Sequence, residues 1–324
     1  MGRYIGVDLG GTKIAALLLD TSSEQVVVRT VIPTEGKLGA DAVLGRIADL
    51  VKQVCQTAEI ALTDIDGVGV GVPGTLDFEK GETLLLPNIP GDWDGKPVVK
   101  ILQDLIGRPV GLINDARAFT LAEATLGAGR GVETVACFTL GTGIGGGLAI
   151  NGKLHLGLMG SAGEVGHQSI NFTGQPDGSG MTGGLEGYAS GPAIASMGVK
   201  AVMQGLDTVI GKLVDFDLNK ITPHTIKQAA EQGDEIAQSI LDQVGLYLGI
   251  GIHNVITVVA PNRIVLGGGV ASLGDWILKP IWKTLEERSR IVPLDRLEIV
   301  YAALGGDAGA IGAALWAGAL YPVP

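Results

Sequence analysis

An apolar run over residues 109–113 stops abruptly at Asn114-Asp115, and a helix-like run follows over 116–126. A carboxylate at a strand's end, just ahead of a helix, is aimed into a crevice and not into the sheet. Such an Asp can take the proton of an alcohol, which phosphoryl transfer to a hydroxyl requires. The same position also suits a helix cap, since Asp is among the preferred capping residues, so the pair alone does not decide. Two glycine turns add weight. Asp8-Leu9-Gly10-Gly11-Thr12-Lys13 and Gly141-Thr142-Gly143 each expose backbone N–H groups that no side chain screens from a phosphate. Thr12 adds a hydroxyl, Lys13 a positive charge, and Asp8 a carboxylate suited to Mg²⁺. One such turn is an ordinary hairpin; two matched turns on facing walls could grip one triphosphate. Residues 141–146 formally match GxGxxG, but 148–150 and Asn151-Gly152 continue as a hairpin. A dinucleotide site needs a helix there, so that reading is rejected. No Walker A pattern is present.

The elements that must position these residues read as two similar halves. Residues 3–9, 12–19 and 25–32 form three β-rich runs separated by turn signals. Val43, Leu44, Ile47, Leu50, Val51 and Val54 then recur at helical spacing. A buried strand over 67–72 ends in Pro73-Gly74, a helix covers 98–106, and a strand over 110–113 leads into Asn114-Asp115. The order β-β-β-α-β-α-β then restarts. Short β runs cover 134–140, 145–150 and 153–156, followed by a Gly/Ser-rich excursion over 157–191. Helical patterns are expected over 192–204 and 225–232, with another over 235–259 broken near its glycines. A strand over 263–266 ends in Gly267-Gly268-Gly269; a helix (276–287), a strand (297–302) and a last helix (308–320) complete the chain. The parallel between 5–12 and 137–143 suggests an internal duplication, with two α/β domains facing a central cleft.

The bulk composition narrows the class. The 324 residues are 46% hydrophobic and 18% charged, which marks a globular chain large enough for two domains. A net charge of −11, with no Lys/Arg cluster, argues against nucleic acid as a partner. Cys55 and Cys137 both sit in apolar segments, as core residues of a reducing cytosol would. A strand-like run by Tyr4 leaves no room for a signal peptide. The uncharged stretches 243–262 and 308–324 carry several glycines and read as buried helices, not as membrane spans.

These motifs together resemble the ROK family of sugar kinases, bacterial glucokinases above all, within the actin-like ATPase superfamily. The resemblance covers nearly the whole chain. Asp8 to Lys13 is similar to the family's first phosphate motif, and Gly71-Val72-Pro73-Gly74 followed by Asp77 to its sugar-side turn. Asn88, Pro90 and Trp93 match an N-x-P-x-x-W stretch, and Asn114-Asp115-Ala116 the catalytic segment. The most specific piece runs over 140–167, ending in Gly163-Glu164-Val165-Gly166-His167. Gly267-Gly268-Gly269-Val270 is similar to the adenosine-side turn.

The resemblance implies two ribonuclease H-like domains: a small one over 1–116, completed by the C-terminal helix (308–324), and a large one over 117–307. It implies ATP-dependent phosphorylation of a hexose 6-hydroxyl, glucose first, with ATP and Mg²⁺ as cofactors. Asp115 would be the base. Asn114, Asn88, Gly74, Glu164, His167 and Glu186 would hold the sugar, the last three binding acceptor and not ATP. Such groups match a ring of hydroxyls that both donate and accept. Gly10, Gly11, Thr12, Lys13, Gly141, Thr142, Gly143, Gly267, Gly268 and Gly269 would hold ATP, and Asp8 its Mg²⁺. Outside this context Glu164-x-x-His167 is a polar loop or half a metal site. A cytoplasmic homodimer or homotetramer is expected.

One departure from the family is large. Its C-x-C-G-x-x-G-C-x-E segment binds a structural zinc through three cysteines and the preceding His; here the aligned positions are Asp177, Ser179 and Gly184. Glycine has no ligand atom and serine is a poor ligand beside thiolate, so no zinc is expected. Other acceptors (N-acetylmannosamine, N-acetylglucosamine, fructose or allose) keep the fold and change only the pocket. A sugar-sensing repressor would carry a helix-turn-helix ahead of the first strand, which here begins near Arg3.

Overall fold

The computed structural model describes residues 2–87, 89–177 and 180–323. The first half opens with β1 (Arg3–Leu9), β2 (Lys13–Asp20) and β3 (Gln25–Pro33), an antiparallel meander, followed by α1 (Ala40–Thr57) and β4 (Gly67–Val72). A short hairpin, β5 (Thr75–Asp77) and β6 (Glu82–Leu85), precedes α2 (Val98–Ile106), β7 (Val110–Asn114) and α3 (Asp115–Thr125). The second half repeats the plan with β8 (Thr134–Leu140), β9 (Ile144–Ile150) and β10 (Lys153–His155). The insertion that follows carries, among the described residues, the α-helices α4 (Glu186–Ala189), α5 (Gly191–Met203), α6 (Pro223–Glu231) and α7 (Glu235–Val259). Then come β11 (Arg263–Gly267), α8 (Asp275–Arg288), β12 (Glu298–Tyr301) and α9 (Ala308–Leu320).

The two five-stranded sheets have one topology. Their orders are β3-β2-β1-β4-β7 and β10-β9-β8-β11-β12, so each strand of the first has a counterpart in the second. In both, an antiparallel edge leads into strands that run parallel: β1, β4 and β7 in one, β8, β11 and β12 in the other. This is the duplicated α/β plan expected from the sequence. The central β4, Gly-Val-Gly-Val-Gly-Val, is buried at every residue, as a parallel strand covered on both faces should be. All six apolar residues named on α1 are buried against this sheet; each side chain of that kind contributes about 1.5–3 kcal/mol.

The described chain divides into two compact units: Met1–Val132 with Leu148–Ala162 and Ala302–Pro324, and Glu133–Gly147 with Gly163–Tyr301. The first unit runs past residue 116, in the first turn of α3, to Val132, and it includes α9. The reason is a backbone-to-backbone fit. A Cβ on Gly69 of β4 would lie 1.7 Å from Ala313 O, and one on Gly312 of α9 1.7 Å from Ala118 O. Only glycine lets α9 seat this closely on both the sheet and α3.

Helix α7 corrects one expectation. It is continuous over Glu235–Val259 and is not broken at its glycines. Those glycines serve packing instead. A Cβ on Gly245 would meet Pro280 at 2.5 Å and one on Gly249 would meet Thr284 at 2.6 Å, so they let α8 approach α7 at a helix-propensity cost of about 1 kcal/mol each. Cys55 and Cys137 are both buried and are not joined in a disulfide. Among the described residues no helix is long and apolar enough to cross a membrane.

Candidate active site

Within the first unit, β7 delivers Asn114-Asp115 to its C-terminal end. Asn114, not Asp115, caps α3: its backbone is extended, and its Oδ1 accepts from Ala116 N at 3.0 Å and Arg117 N at 3.2 Å. Its Nδ2 donates to Gly74 O at 3.0 Å, and its second amide hydrogen has no partner among the described residues. Asp115 is the first helical residue and is half-buried; its Oδ1 accepts from Ala116 N at 2.8 Å. Gly74 turns with φ +86°, and a Cβ there would lie 2.0 Å from Leu85 O. The Pro73-Gly74 turn is therefore wedged against the β5–β6 hairpin and tied to the helix that begins with Asp115.

The turn after β1 presents Gly11, Thr12 and Lys13 to solvent. It is closed by Gly10 N donating to Lys13 O at 3.0 Å, and by Thr34, whose hydroxyl donates to Gly10 O at 2.6 Å and whose N–H donates to Thr12 O at 3.0 Å. Thr34 is fully buried. Asp8 stands near the end of β1, opposite Ala15 and Gly71. Its carboxylate lies against the first turn of α9, where a Cβ on Gly309 would come within 2.8 Å of Oδ2. Burial pushes the Asp8 carboxyl above its ordinary range, and the Lys13 ammonium draws it part of the way back.

Three supports in this unit had no signal in the sequence pattern. Besides Thr34 they are Arg117 and Glu123, both buried on α3. The Arg117 guanidinium donates from Nη1 to Asn114 Oδ1 at 3.4 Å. Glu123 accepts from Ala128 N at 2.8 Å, Ala303 N at 3.1 Å and Leu304 N at 2.9 Å, which anchors the lead-in to α9. Polar residues on a helix read as surface; only their low exposure in the fold marks them.

In the second unit the turn after β8 is closed by Gly141 N donating to Gly143 O at 2.9 Å, and Gly191 N at the start of α5 donates to Gly141 O at 2.8 Å. Gly268 (φ +86°) abuts the end of β8, since a Cβ there would lie 2.4 Å from Leu140 O. The Gly141–Thr142–Gly143 and Gly267–Gly268–Gly269 turns are thus brought together. Glu186 joins them from the first position of α4: its Oε2 accepts from Ile144 N at 2.8 Å.

His167 is about one-third exposed, with Nε2 3.9 Å from Glu164 Oε2 and Nδ1 3.4 Å from Asp177 Oδ2. The Asp177 side chain is fully buried, and its Oδ1 accepts from Met181 N at 3.1 Å. Tyr188 orders the same loop: its hydroxyl accepts from Gln175 N at 3.1 Å and Asn171 Nδ2 at 3.3 Å, and its ring packs 4.9 Å from that of Tyr247. The family's zinc does not fit these residues. Gly184 brings no donor atom, and Asp177 is turned toward Met181 N and His167. Among the described residues no group of three or more His, Cys, Asp or Glu is placed to hold a metal ion. Asn88 and Ser179 lie outside the described residues.

The chain matches the ROK family over residues 4–319. A glucokinase of Halalkalibacterium halodurans is 35% identical over 311 residues, covering 95% of this chain and 93% of its own length. A ROK hexokinase structure from Thermus thermophilus superposes with a TM-score of 0.81 at 32% identity, covering 97% of each chain. A ROK family glucokinase from Streptomyces griseus, solved with glucose and AMPPNP, superposes with a TM-score of 0.80 at 33% identity, covering 98% of this chain and 99% of that one. With the duplicated sheets, both glycine turns and the Asn114-Asp115 segment in place, this agreement over nearly the whole length means that the chain belongs to the ROK family.

Proposed function

We propose that this chain transfers the γ-phosphoryl group of ATP to the 6-hydroxyl of glucose. The observation that carries the reading is Asp115: a half-buried carboxylate at the C-terminal end of a parallel strand, on a segment fixed by the Asn114 cap. The relatives support the donor and acceptor, since a similar protein was solved with glucose and an ATP analogue.

Asp115 takes the proton of the 6-hydroxyl as the oxygen attacks phosphorus. Glu164, His167 and Glu186 hold ring hydroxyls, with a backbone contact at Gly74 and one amide hydrogen from Asn114. Backbone N–H groups around Gly10, Gly11, Thr12 and around Gly141, Thr142, Gly143 cradle phosphate oxygens, and Lys13 offsets their charge. Gly267, Gly268 and Gly269 face the nucleoside. Asp8 would hold Mg²⁺, which neutralises charge on the phosphates. Most of the catalysis is positioning and electrostatics, as for phosphoryl transfer in general. By the same family reading the chain works in the cytoplasm as a homodimer or homotetramer, with the two expected domains as its working parts.

The test is ADP release with glucose, N-acetylmannosamine, N-acetylglucosamine, fructose and allose. Glucose is expected to give the highest kcat/KM. A higher value for another sugar reassigns the acceptor, and no sugar-dependent release from any of them sinks the kinase reading.

A further inference from the structure

Glu186 touches a part of the second unit that the proposed function gives to the other substrate. It is assigned to the sugar, yet its Oε2 accepts the N–H of Ile144, directly after the Gly141-Thr142-Gly143 phosphate turn, at 2.8 Å. The carboxylate also lies against Gly143, where a Cβ would come within 2.5 Å of Oε2. Residues 141–147 contain five glycines, so this backbone loses more freedom on ordering than an ordinary stretch of its length. Glu186 itself is well held. It follows the fully buried Leu185, Gln175 Nε2 donates to the carbonyl of the next residue, Gly187, at 2.7 Å, and Tyr188 is fixed by its ring and hydroxyl contacts. Its second oxygen, Oε1, makes no hydrogen bond among the described residues.

We propose that Glu186 is the positioning residue that couples sugar binding to nucleotide binding: Oε1 accepts from a sugar hydroxyl while Oε2 fixes the phosphate turn through Ile144 N–H. The inference rests on the proposed function. Sugar on Oε1 locks the carboxylate, the carboxylate locks the glycine turn, and the nucleotide then meets a turn whose ordering cost is already met. Such shared ordering is a source of positive cooperativity, and the coupling factor is the same in both directions.

The experiment is titration calorimetry of glucose with and without AMPPNP and Mg²⁺, on wild type, Glu186→Ala and Glu186→Gln. Wild type is expected to bind glucose more tightly with the nucleotide analogue present, by on the order of 5-fold or more. Glu186→Ala should bind glucose more weakly and bring that factor to about 1. Glutamine can still accept from Ile144 N–H through its amide oxygen while placing an NH₂ where the free oxygen was. Glu186→Gln should therefore keep the coupling and weaken glucose binding. A merely structural residue would lose both properties together. Absent or antagonistic coupling in wild type overturns the proposal. So does an undiminished factor in Glu186→Ala, or a lost one in Glu186→Gln. Unchanged glucose affinity in Glu186→Ala removes Glu186 from the acceptor set and overturns it as well. The kinase reading survives each of these results, because sugar-dependent ADP release tests it separately.

Discussion

Asn114 Nδ2 donates to the carbonyl of Gly74 at 3.0 Å, while Asn114 Oδ1 caps α3. One carboxamide therefore joins the Gly74 turn to the helix that starts with Asp115. The two jobs can be separated. Aspartate caps a helix as well as asparagine does, but at 114 it would set a carboxylate against the Gly74 carbonyl. Asn114→Asp should lower kcat/KM for the sugar with little change in Tm. Asn114→Ala should lose the cap too, about 1 kcal/mol of stability. Thermal unfolding beside steady-state kinetics checks this; an Asp variant with full activity would show that the tie to Gly74 is dispensable.

Asp115 is the group on which the proposed chemistry depends. Asp115→Asn keeps the size of the side chain and an oxygen able to accept from Ala116 N, so fold and glucose affinity should be retained. Loss of a general base typically costs about 10²–10⁴-fold in kcat, and positioning of the phosphates sustains the remainder. Turnover within a few-fold of wild type would mean that another group takes the proton.

Asp8 gives a prediction with a definite sign. Burial raises its folded-state pKa above the ordinary 3.8, with Lys13 offsetting part of the shift. Between the unfolded and folded values the native state therefore binds more protons than the unfolded state, so stability falls as pH rises through that window. The cost is absent below pH 3.8 and complete once pH exceeds the folded pKa. Asp8→Asn removes it. The variant should be more stable than wild type at neutral pH, lose that advantage on acidification, and lose activity with the Mg²⁺ ligand. Unfolding measured across pH decides; a variant less stable than wild type at neutral pH would mean that Asp8 is held by favourable contacts that outweigh its desolvation.

The succession of strands and helices and the α1 face were legible because they depend on local pattern: alternation, a 3.6-residue period, and turn residues between apolar runs. The identity of the α3 cap was not. Asn114 and Asp115 are both good capping residues, and only the backbone shows that the helix begins one residue after Asn114. The glycines of α7 were misread because a helix interior and a break share the residue type; what distinguishes them is Pro280 and Thr284, more than thirty residues away in sequence. Thr34, Arg117 and Glu123 escaped for a related reason, since their partners are mostly backbone groups that a one-dimensional pattern does not contain. The contact of Glu186 with Ile144, 42 positions away, was not legible either.

The proposed function puts His167 on the acceptor and not on ATP. It is one-third exposed, and its ring nitrogens face Glu164 and Asp177. His167→Ala should raise KM for glucose far more than KM for ATP. Equal losses for both substrates would assign it to the loop's architecture.

Asp177 shows how the loop before Glu186 is ordered without the family's cysteines. Its buried carboxylate accepts from Met181 N and faces His167, its backbone N–H donates to Met181 O at 2.9 Å, and Ile170 N donates to Gly183 O at 2.9 Å. Removing one partner from a buried charged contact is costly, so Asp177→Ala should loosen the loop and weaken glucose binding through Glu186 and His167. A structural zinc contributes roughly 10 kcal/mol or more in small sites; hydrogen bonds of this kind, at about 1–3 kcal/mol each, replace only part of that. The loop should therefore exchange amide hydrogens faster without glucose than with it. The purified protein should carry no stoichiometric zinc, and activity should survive chelation once Mg²⁺ is resupplied. Elemental analysis settles the point: about one tightly held zinc per chain, lost together with activity in Asp177→Ala, would make Asp177 and His167 metal ligands and not the hydrogen-bonded substitute for them.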